Sequence, residues 1–501
     1  MQVRIASFGL LAVCFIAVSF TATQRWQSSF VVLNSNGTLT YKADEKGNTI
    51  PDFSKVGYRT GNVPIPDVPV IKTINPGPDA ESAIQHAIDV LAKKAPDKTG
   101  FRGAILLKKG RYSIQKNIKI SASGIVLRGE GNETLLVAEG TERRALIDVT
   151  GTGDPKEING TRTPVTADVP VGATAIPVKS AAAFKPGDAV IIHWVARDQW
   201  IEDLKMNQIV ERPGTKQWRA KEYDFKFQRT IIRIEGNTLF TDNPVVMAME
   251  ARYNTAEVYA YHFPGRIANV GVENLSCASA YTSDTAEDHS WDAVALNRVE
   301  NGWVRHVNAR YFAYSCVNLG ALSRNISVLN CSISDHKSII TGGRRYSFNN
   351  TGQMNLFMNC AASDGRHDYV TGARVCGPNV FYNCTASRTH ADIGPHHRWA
   401  MGTLYDNITT DGEINIQDRG NWGSGHGWAG VNQIVWNCTA KSATVQSPWV
   451  SGKNYCIGLK GQKSAGRLAQ RPDGEWEGQN KAGLEPASLY MAQLKARALH
   501  H

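Results

Sequence analysis

Val328-Leu329-Asn330-Cys331-Ser332-Ile333-Ser334 returns as Phe357-Met358-Asn359-Cys360-Ala361-Ala362-Ser363 and as Phe381-Tyr382-Asn383-Cys384-Thr385-Ala386-Ser387. Val435-Trp436-Asn437-Cys438-Thr439-Ala440 is a fourth copy. The cysteines stand 29, 24 and 54 residues apart, and Tyr405-Asp406-Asn407-Ile408-Thr409 fills the register skipped by the long step. Val272-Glu273-Asn274-Leu275-Ser276-Cys277 reads as an earlier copy. Imperfect periods of this length mark a solenoid, in which each repeat buries its apolar face only against its neighbours. Each copy is a short β-prone run followed by polar residues and glycine. The expected fold is therefore all-β: a right-handed parallel β-helix solenoid with an N-terminal capping helix and a small β-rich insertion. Equivalent positions of successive coils then stack about 4.7–4.9 Å apart, and distant residues form ladders.

Outward from the repeats, the chain divides into five stretches. Residues 1–23 read as a secretory signal peptide, with Arg4 ahead of an apolar run from Ile5 to Phe20 that is shorter than a typical membrane span. This predicts a secreted or periplasmic protein without a membrane span. Residues 24–159 hold a polar N-terminal segment, a cap helix and the first coils. Ala83, Ile84, Ala87, Ile88 and Leu91 have helical spacing, and such a helix would shield the open end of the solenoid. Residues 160–260 form the β-rich insertion, in which Trp194–Tyr223 either overhangs a groove or covers the insertion. Residues 261–460 are the coils that carry the groove, and 461–501 a C-terminal cap or tail.

Composition narrows the partners. The 501 residues are 42% hydrophobic with a net charge of +10, which suits a globular protein with an acidic partner. No Lys/Arg run or nucleic-acid motif is present, so nucleic acid is not expected. Among the nine cysteines, Cys331, Cys360, Cys384 and Cys438 share one repeat position and read as a reduced interior row. Cys316, Cys376 and Cys456 fall off that register and are the disulfide candidates.

Counting forward from each repeat cysteine gives two charged stripes. One holds Asp335, Asp364 and Arg388, followed by His336, Arg366, His367, Asp368, His390 and Asp392. The other, fourteen residues on, holds Arg345, Arg374 and Arg398, with His396 and His397 just before and Trp422 beyond. A charged stripe is ordinarily a solvated edge. Here histidine, arginine and tryptophan concentrate between 367 and 428, which points to a groove.

The cap helix followed by Gly103–Leu107, Lys109-Gly110-Arg111-Tyr112 and Ile125-Val126-Leu127-Arg128-Gly129-Glu130-Gly131 resembles the first coils of the pectate-lyase-like right-handed β-helix superfamily. That superfamily hosts lyases, hydrolases, epimerases, esterases and tailspikes, so the resemblance speaks for fold more than for function. An acidic polysaccharide is the expected partner of a monomeric enzyme, and lyase chemistry the expected reaction. β-Elimination at a uronate needs a base for the C5 proton, positive charge against the carboxylate and an acid for the leaving oxygen. The catalytic candidates are His367, His390, His397, Arg398 and Tyr369, with Tyr346 as a second possible acid. Substrate-binding candidates are Arg345, Arg366, Arg374, Arg388, His396, Trp399, Arg419, His426 and Trp428. The resemblance implies calcium as the charge-neutralising cofactor, for which Asp364, Asp368 and Asp392 offer oxygen ligands. The same carboxylates would serve the alternative, a β-helix glycoside hydrolase. Gly425-His426-Gly427 resembles a polygalacturonase motif, but the Asp-Asp pair expected upstream is absent. A third alternative is a non-catalytic carbohydrate-binding β-helix.

Overall fold

The computed structural model describes residues 25–61 and 63–499. The expected signal peptide therefore lies outside the described residues. Strands form 42% of the structure and helices 8%. Thirty strands join one sheet, wound into a parallel β-helix with three faces. Leu356–Met358, Cys376–Tyr382, Ala400–Asp406 and Ile434–Trp436 pair in sequence on the first face. Ala361–Ser363, Thr385–Ser387 and Thr409–Thr410 pair on the second. Tyr369–Thr371, Asp392–Pro395 and Glu413–Ile416 pair on the third.

The Asn-Cys pair makes the first bend of each coil. Asn330, Asn359, Asn383, Asn407 and Asn437 all have φ between +50° and +56°, a left-handed conformation that asparagine tolerates better than most residues. Their amides stack: Asn383 Nδ2 donates to Asn359 Oδ1 at 2.7 Å, and Asn437 Nδ2 to Asn407 Oδ1 at 3.0 Å. The bend turns the next side chain inward, so Cys331, Cys360, Cys384 and Cys438 are buried in the core, with Ile408 at the skipped register. In the earlier copy Asn274 makes the bend (φ +58°), and Leu275 rather than Cys277 follows it. All eight described cysteines are reduced, so the disulfides expected at Cys316, Cys376 and Cys456 do not form. Cys316 and Cys456 line the solenoid core, and Cys376 lies in the seam below the insertion, each walled in by packing.

Helix Ala80–Ala92 covers the first coil, burying Ile84, Ile88 and Leu91 against it. At the first face, Val31, Ile50, Phe53 and Val56 of the N-terminal segment pack with helix Leu489–Ala498 over Leu356, Val380, Leu404 and Ile434. Residues 156–262 form a separate antiparallel sheet around strands Ala189–Ala196, Asp224–Glu235 and Asn254–His262. Its Trp194, Trp200 and Trp218 share one apolar seam with Trp399, Met401 and Trp428 of the coils. Trp399 and Trp428 are fully buried there, which removes them from the substrate-binding role expected of them.

Candidate active site

On the third face Ile393, Ile414 and Ile416 enter the core. Strand alternation then turns Asp392 and Glu413 outward as register neighbours on adjacent coils. Pro395 ends one strand and hands the chain to His396-His397. One coil later, residues 418–428 form a hairpin closed by the Asp418–Trp428 bridge, and its glycine-rich tip returns His426 to the same corner. His367 stands two residues before its own third-face strand. The result is a cluster of four imidazoles. Ring centroids of His396 lie 4.5 Å from His367, 5.1 Å from His397 and 5.1 Å from His426, with His397 and His426 4.9 Å apart.

The nitrogens of this cluster are poorly satisfied. Nδ1 of His396, His397 and His426 and Nε2 of His367 are buried without a hydrogen-bond partner among the described residues. His367 Nδ1 lies 2.9 Å from the Asp392 carbonyl and 3.2 Å from its Oδ1. Arg419 closes on the other oxygen of Asp392. Burial opposes the charge of Asp392, but the Arg419 guanidinium and His367 overcome it and hold the carboxyl well below the usual range. Burial, reinforced by neighbouring histidines and arginines, pushes the other rings down: His396 far below its ordinary value, His397 to about 4 and His426 to about 3. These three rings are neutral at neutral pH, with their ring lone pairs unprotonated.

An aromatic ladder leads into the cluster. Trp291 stacks on Tyr314 at 6.1 Å, Tyr314 on Tyr346 at 5.0 Å, and Tyr346 meets His367 edge-on at 4.9 Å. Burial holds the Tyr346 phenol above its ordinary value, so it remains a proton donor. Arg143 lies 4.5 Å over Trp291, and Arg344 is fixed by Glu287 at 2.6 Å. Trp291 and Tyr314 were not anticipated from sequence. The available signal was an aromatic or histidine one or two residues before each third-face strand, as at Trp291, Tyr314, Tyr346 and His367.

The other expected site residues are placed as follows. Arg398 and Arg374 line the third turn next to the cluster, where Arg398 donates to the Ser424 carbonyl at 2.8 Å and Arg374 to the Glu222 carbonyl at 2.6 Å. Arg366 sits half-buried at the rim, donating to the Gly342 carbonyl. Arg388 is exposed at the second turn with Asp335. His390 is also there, 2.7 Å from Asp364, which Arg345 contacts at 3.2 Å. Arg345 is thus not in line with Arg374 and Arg398. Its coil carries its extra residues before the third face, so it falls before that face while the other two fall after it. Tyr369 is fully buried with its hydroxyl donating to the Cys360 and Thr385 carbonyls, which excludes it as the acid.

The calcium ligands do not converge either. Asp364 is taken by Arg345 and His390, Asp392 by Arg419 and His367, and Asp368 by Ser347 at 2.6 Å. Burial pushes Asp368 up to about 7, so it is a weak ligand for a hard cation. Among the described residues no group of three or more His, Cys, Asp or Glu side chains is arranged to hold a metal. In this arrangement the positive charge near the cluster comes from arginine.

The wall beside the cluster is contributed by the insertion. Trp218 Nε1 donates to the Gly425 carbonyl at 3.2 Å, and Arg212 to the Gly423 carbonyl at 3.0 Å. Among the described residues no helix is long and apolar enough to cross a membrane.

No protein-family model matches the chain, and no curated protein matches it. Among solved structures it is similar to the tailspike protein gp49 from Pseudomonas phage LKA1, with 14% identity and a TM-score of 0.46. That alignment covers 78% of this chain and 64% of the tailspike, so the chain spans just under two thirds of that protein. It is also similar to an alginate lyase from Paenibacillus sp. at 10% identity, covering 82% and 100% of the two chains with a TM-score of 0.39. For pectate lyase Pel9A the values are 10% identity, 80% and 80% coverage, and a TM-score of 0.36. These likenesses concern coil architecture, which the strand pairing above establishes directly.

Proposed function

We propose that this pectate-lyase-like parallel β-helix is a polysaccharide lyase that cleaves an acidic, uronic-acid-containing polysaccharide by β-elimination. The observation that carries the reading is the four-histidine cluster, in which each ring has an unpartnered nitrogen and His396, His397 and His426 are neutral, set among arginines at the end of an aromatic ladder. His396 or His397 takes the C5 proton of a uronate, and the electron pair left behind forms the C4–C5 double bond as the C4–O bond breaks. The Tyr346 hydroxyl supplies the proton for the leaving oxygen. Arg398, Arg366 and Arg419 stand near enough to offset the carboxylate whose charge otherwise opposes loss of that proton. Asp392 fixes His367 and Arg419 in place and does not react.

One observation favours a second reading, glycoside hydrolysis. Glu413 and Asp392 are outward register neighbours, and burial raises the Glu413 carboxyl while Asp392 stays ionised. Such a divergence separates an acid from a base. Asp392, however, is closed off between Arg419 and His367.

The test incubates the protein with polygalacturonate, alginate and glycosaminoglycans, with and without chelator, and follows ultraviolet absorbance of the unsaturated product. A rise that survives chelator is expected. New reducing ends without absorbance would transfer the reaction to Glu413 and Asp392.

A further inference from the structure

A second concavity borders the hairpin that carries His426. The insertion segment around Met206–Val210, the hairpin residues 418–421 and the C-terminal stretch 467–471 enclose a cavity of about 320 Å³. That volume falls at the lower end of the range for small-ligand sites. Met206, Ile209, Val210 and Leu468 give it apolar walls, and Val210 is 73% exposed, unusual for a side chain of its type.

Its charges are one-sided. Asp418 is fully buried and committed to Arg471 at 2.7 Å. Lys205 and Arg467 form no ion pair among the described residues. Arg467 is nevertheless held: it donates to the Arg419 carbonyl at 3.1 Å and to Asn421 Oδ1 at 2.9 Å, and lies 5.0 Å over the Trp422 ring. Lys205 lies 4.7 Å over Trp449. A guanidinium oriented by neutral partners retains N–H groups for an incoming anion.

We propose that this cavity binds an anionic sugar unit, its carboxylate on Arg467 and Lys205 and its ring against the Val210–Leu468 wall. The identity of the unit as a uronate rests on the lyase reading above. The cavity shares the 418–421 backbone with the loop that presents Arg419 to Asp392, so an occupant there lies next to the cluster without touching it.

The test titrates saturated trisaccharides of galacturonate, mannuronate and glucuronate into His396→Gln protein by calorimetry at low salt. At least one should bind, and Lys205→Gln/Arg467→Gln in that background should weaken it at least tenfold. Arg467→Lys should stay within threefold, and Arg310→Gln, whose guanidinium pairs with Asp335 on the remote second turn, within twofold. The methyl-esterified trisaccharide should bind no better than the acid binds the double variant. The cavity is overturned if no uronate trisaccharide binds, if the double variant binds normally, or if the ester binds as well as the acid. The ultraviolet assay separates this from the parent reading. Binding without any unsaturated product from any polymer would remove the lyase and leave the cavity. Product formation with an unchanged KM in Lys205→Gln/Arg467→Gln would remove the cavity and leave the lyase.

Discussion

Two corners of the solenoid carry nearly the same residues and end in opposite states. At the second turn every carboxylate is partnered: Asp335 by Arg388, and Asp364 by Arg345 and His390. At the third turn, Arg374, Arg398, His396, His397 and His426 have little carboxylate to share, because Asp392 is spent on Arg419 and His367. The first corner is a satisfied edge that holds coils together. The second leaves buried ring nitrogens unpartnered and keeps its imidazoles neutral. Unsatisfied buried groups cost stability, and a fold retains them where they meet a ligand. Residue types alone therefore do not distinguish a site from a seam; the pairing does.

The sharpest way to break this comparison is to remove one histidine from each corner. His396→Ala should lower kcat on the cleaved polyuronate by about 100-fold or more, the usual contribution of a positioned acid–base group. His390→Ala should stay within about threefold. Similar losses in both would erase the distinction. Arg345→Ala should act on stability and hardly on turnover, costing about 2 kcal/mol as Asp364 and the Ser338 carbonyl lose a charged donor. A shift in the urea midpoint with kcat unchanged would establish that.

The neutral histidines give a pH signature. With His397 held at about 4 and His426 at about 3, the base stays deprotonated well below the ordinary histidine range. The acid limb of kcat/KM should therefore lie below about pH 5 rather than near 6.5. Stability has the same sign: it is full above about 6.5 and falls toward pH 4, where the unfolded chain takes up protons that the native rings refuse. A limb near 6.5 would mean that the rings are solvated in solution.

Two smaller effects test the frame around the corners. Asn383→Ala removes a ladder amide and forces alanine into a left-handed bend, at a cost of about 1–2 kcal/mol; glycine should recover part of it. Asp368 belongs to a buried chain in which its carboxyl meets Ser347 Oγ, and Ser347 Oγ meets His336 Nε2 at 3.1 Å. His336 Nδ1 faces the Phe312 carbonyl at 3.1 Å, which turns Nε2 toward the Ser347 hydroxyl. Ser347 Oγ donates to Asp368 Oδ1 at 2.6 Å, and burial outweighs that bond and pushes the carboxyl up to about 7. Its stabilisation is full below about pH 4 and lost as pH rises through 7. Asp368→Asn should be close to neutral at pH 4 and more stable than the wild type at pH 8, read from thermal midpoints.

The solenoid is legible in the chain's repeats, because a coil packs only against its neighbours and so repeats its bend and its inward residue locally. Asn-Cys states both: asparagine takes the left-handed bend and the small side chain after it fills the interior. The same locality made the cap helix legible from the spacing of Ile84, Ile88 and Leu91. Tertiary structure decided the alignment of ladders beyond the repeat itself. Phe348 follows Cys331 by 17 residues whereas its register partner Tyr369 follows Cys360 by nine, and these eight extra residues ahead of the third face move Arg345 from the third corner to the second. It also decided which aromatics meet solvent. Trp399 and Trp428 are near the histidines in sequence but disappear beneath the insertion, while Trp291 and Tyr314, about 80 to 100 residues earlier, stack toward them. Burial and pairing depend on what packs from elsewhere in the chain, and no local pattern carries that information.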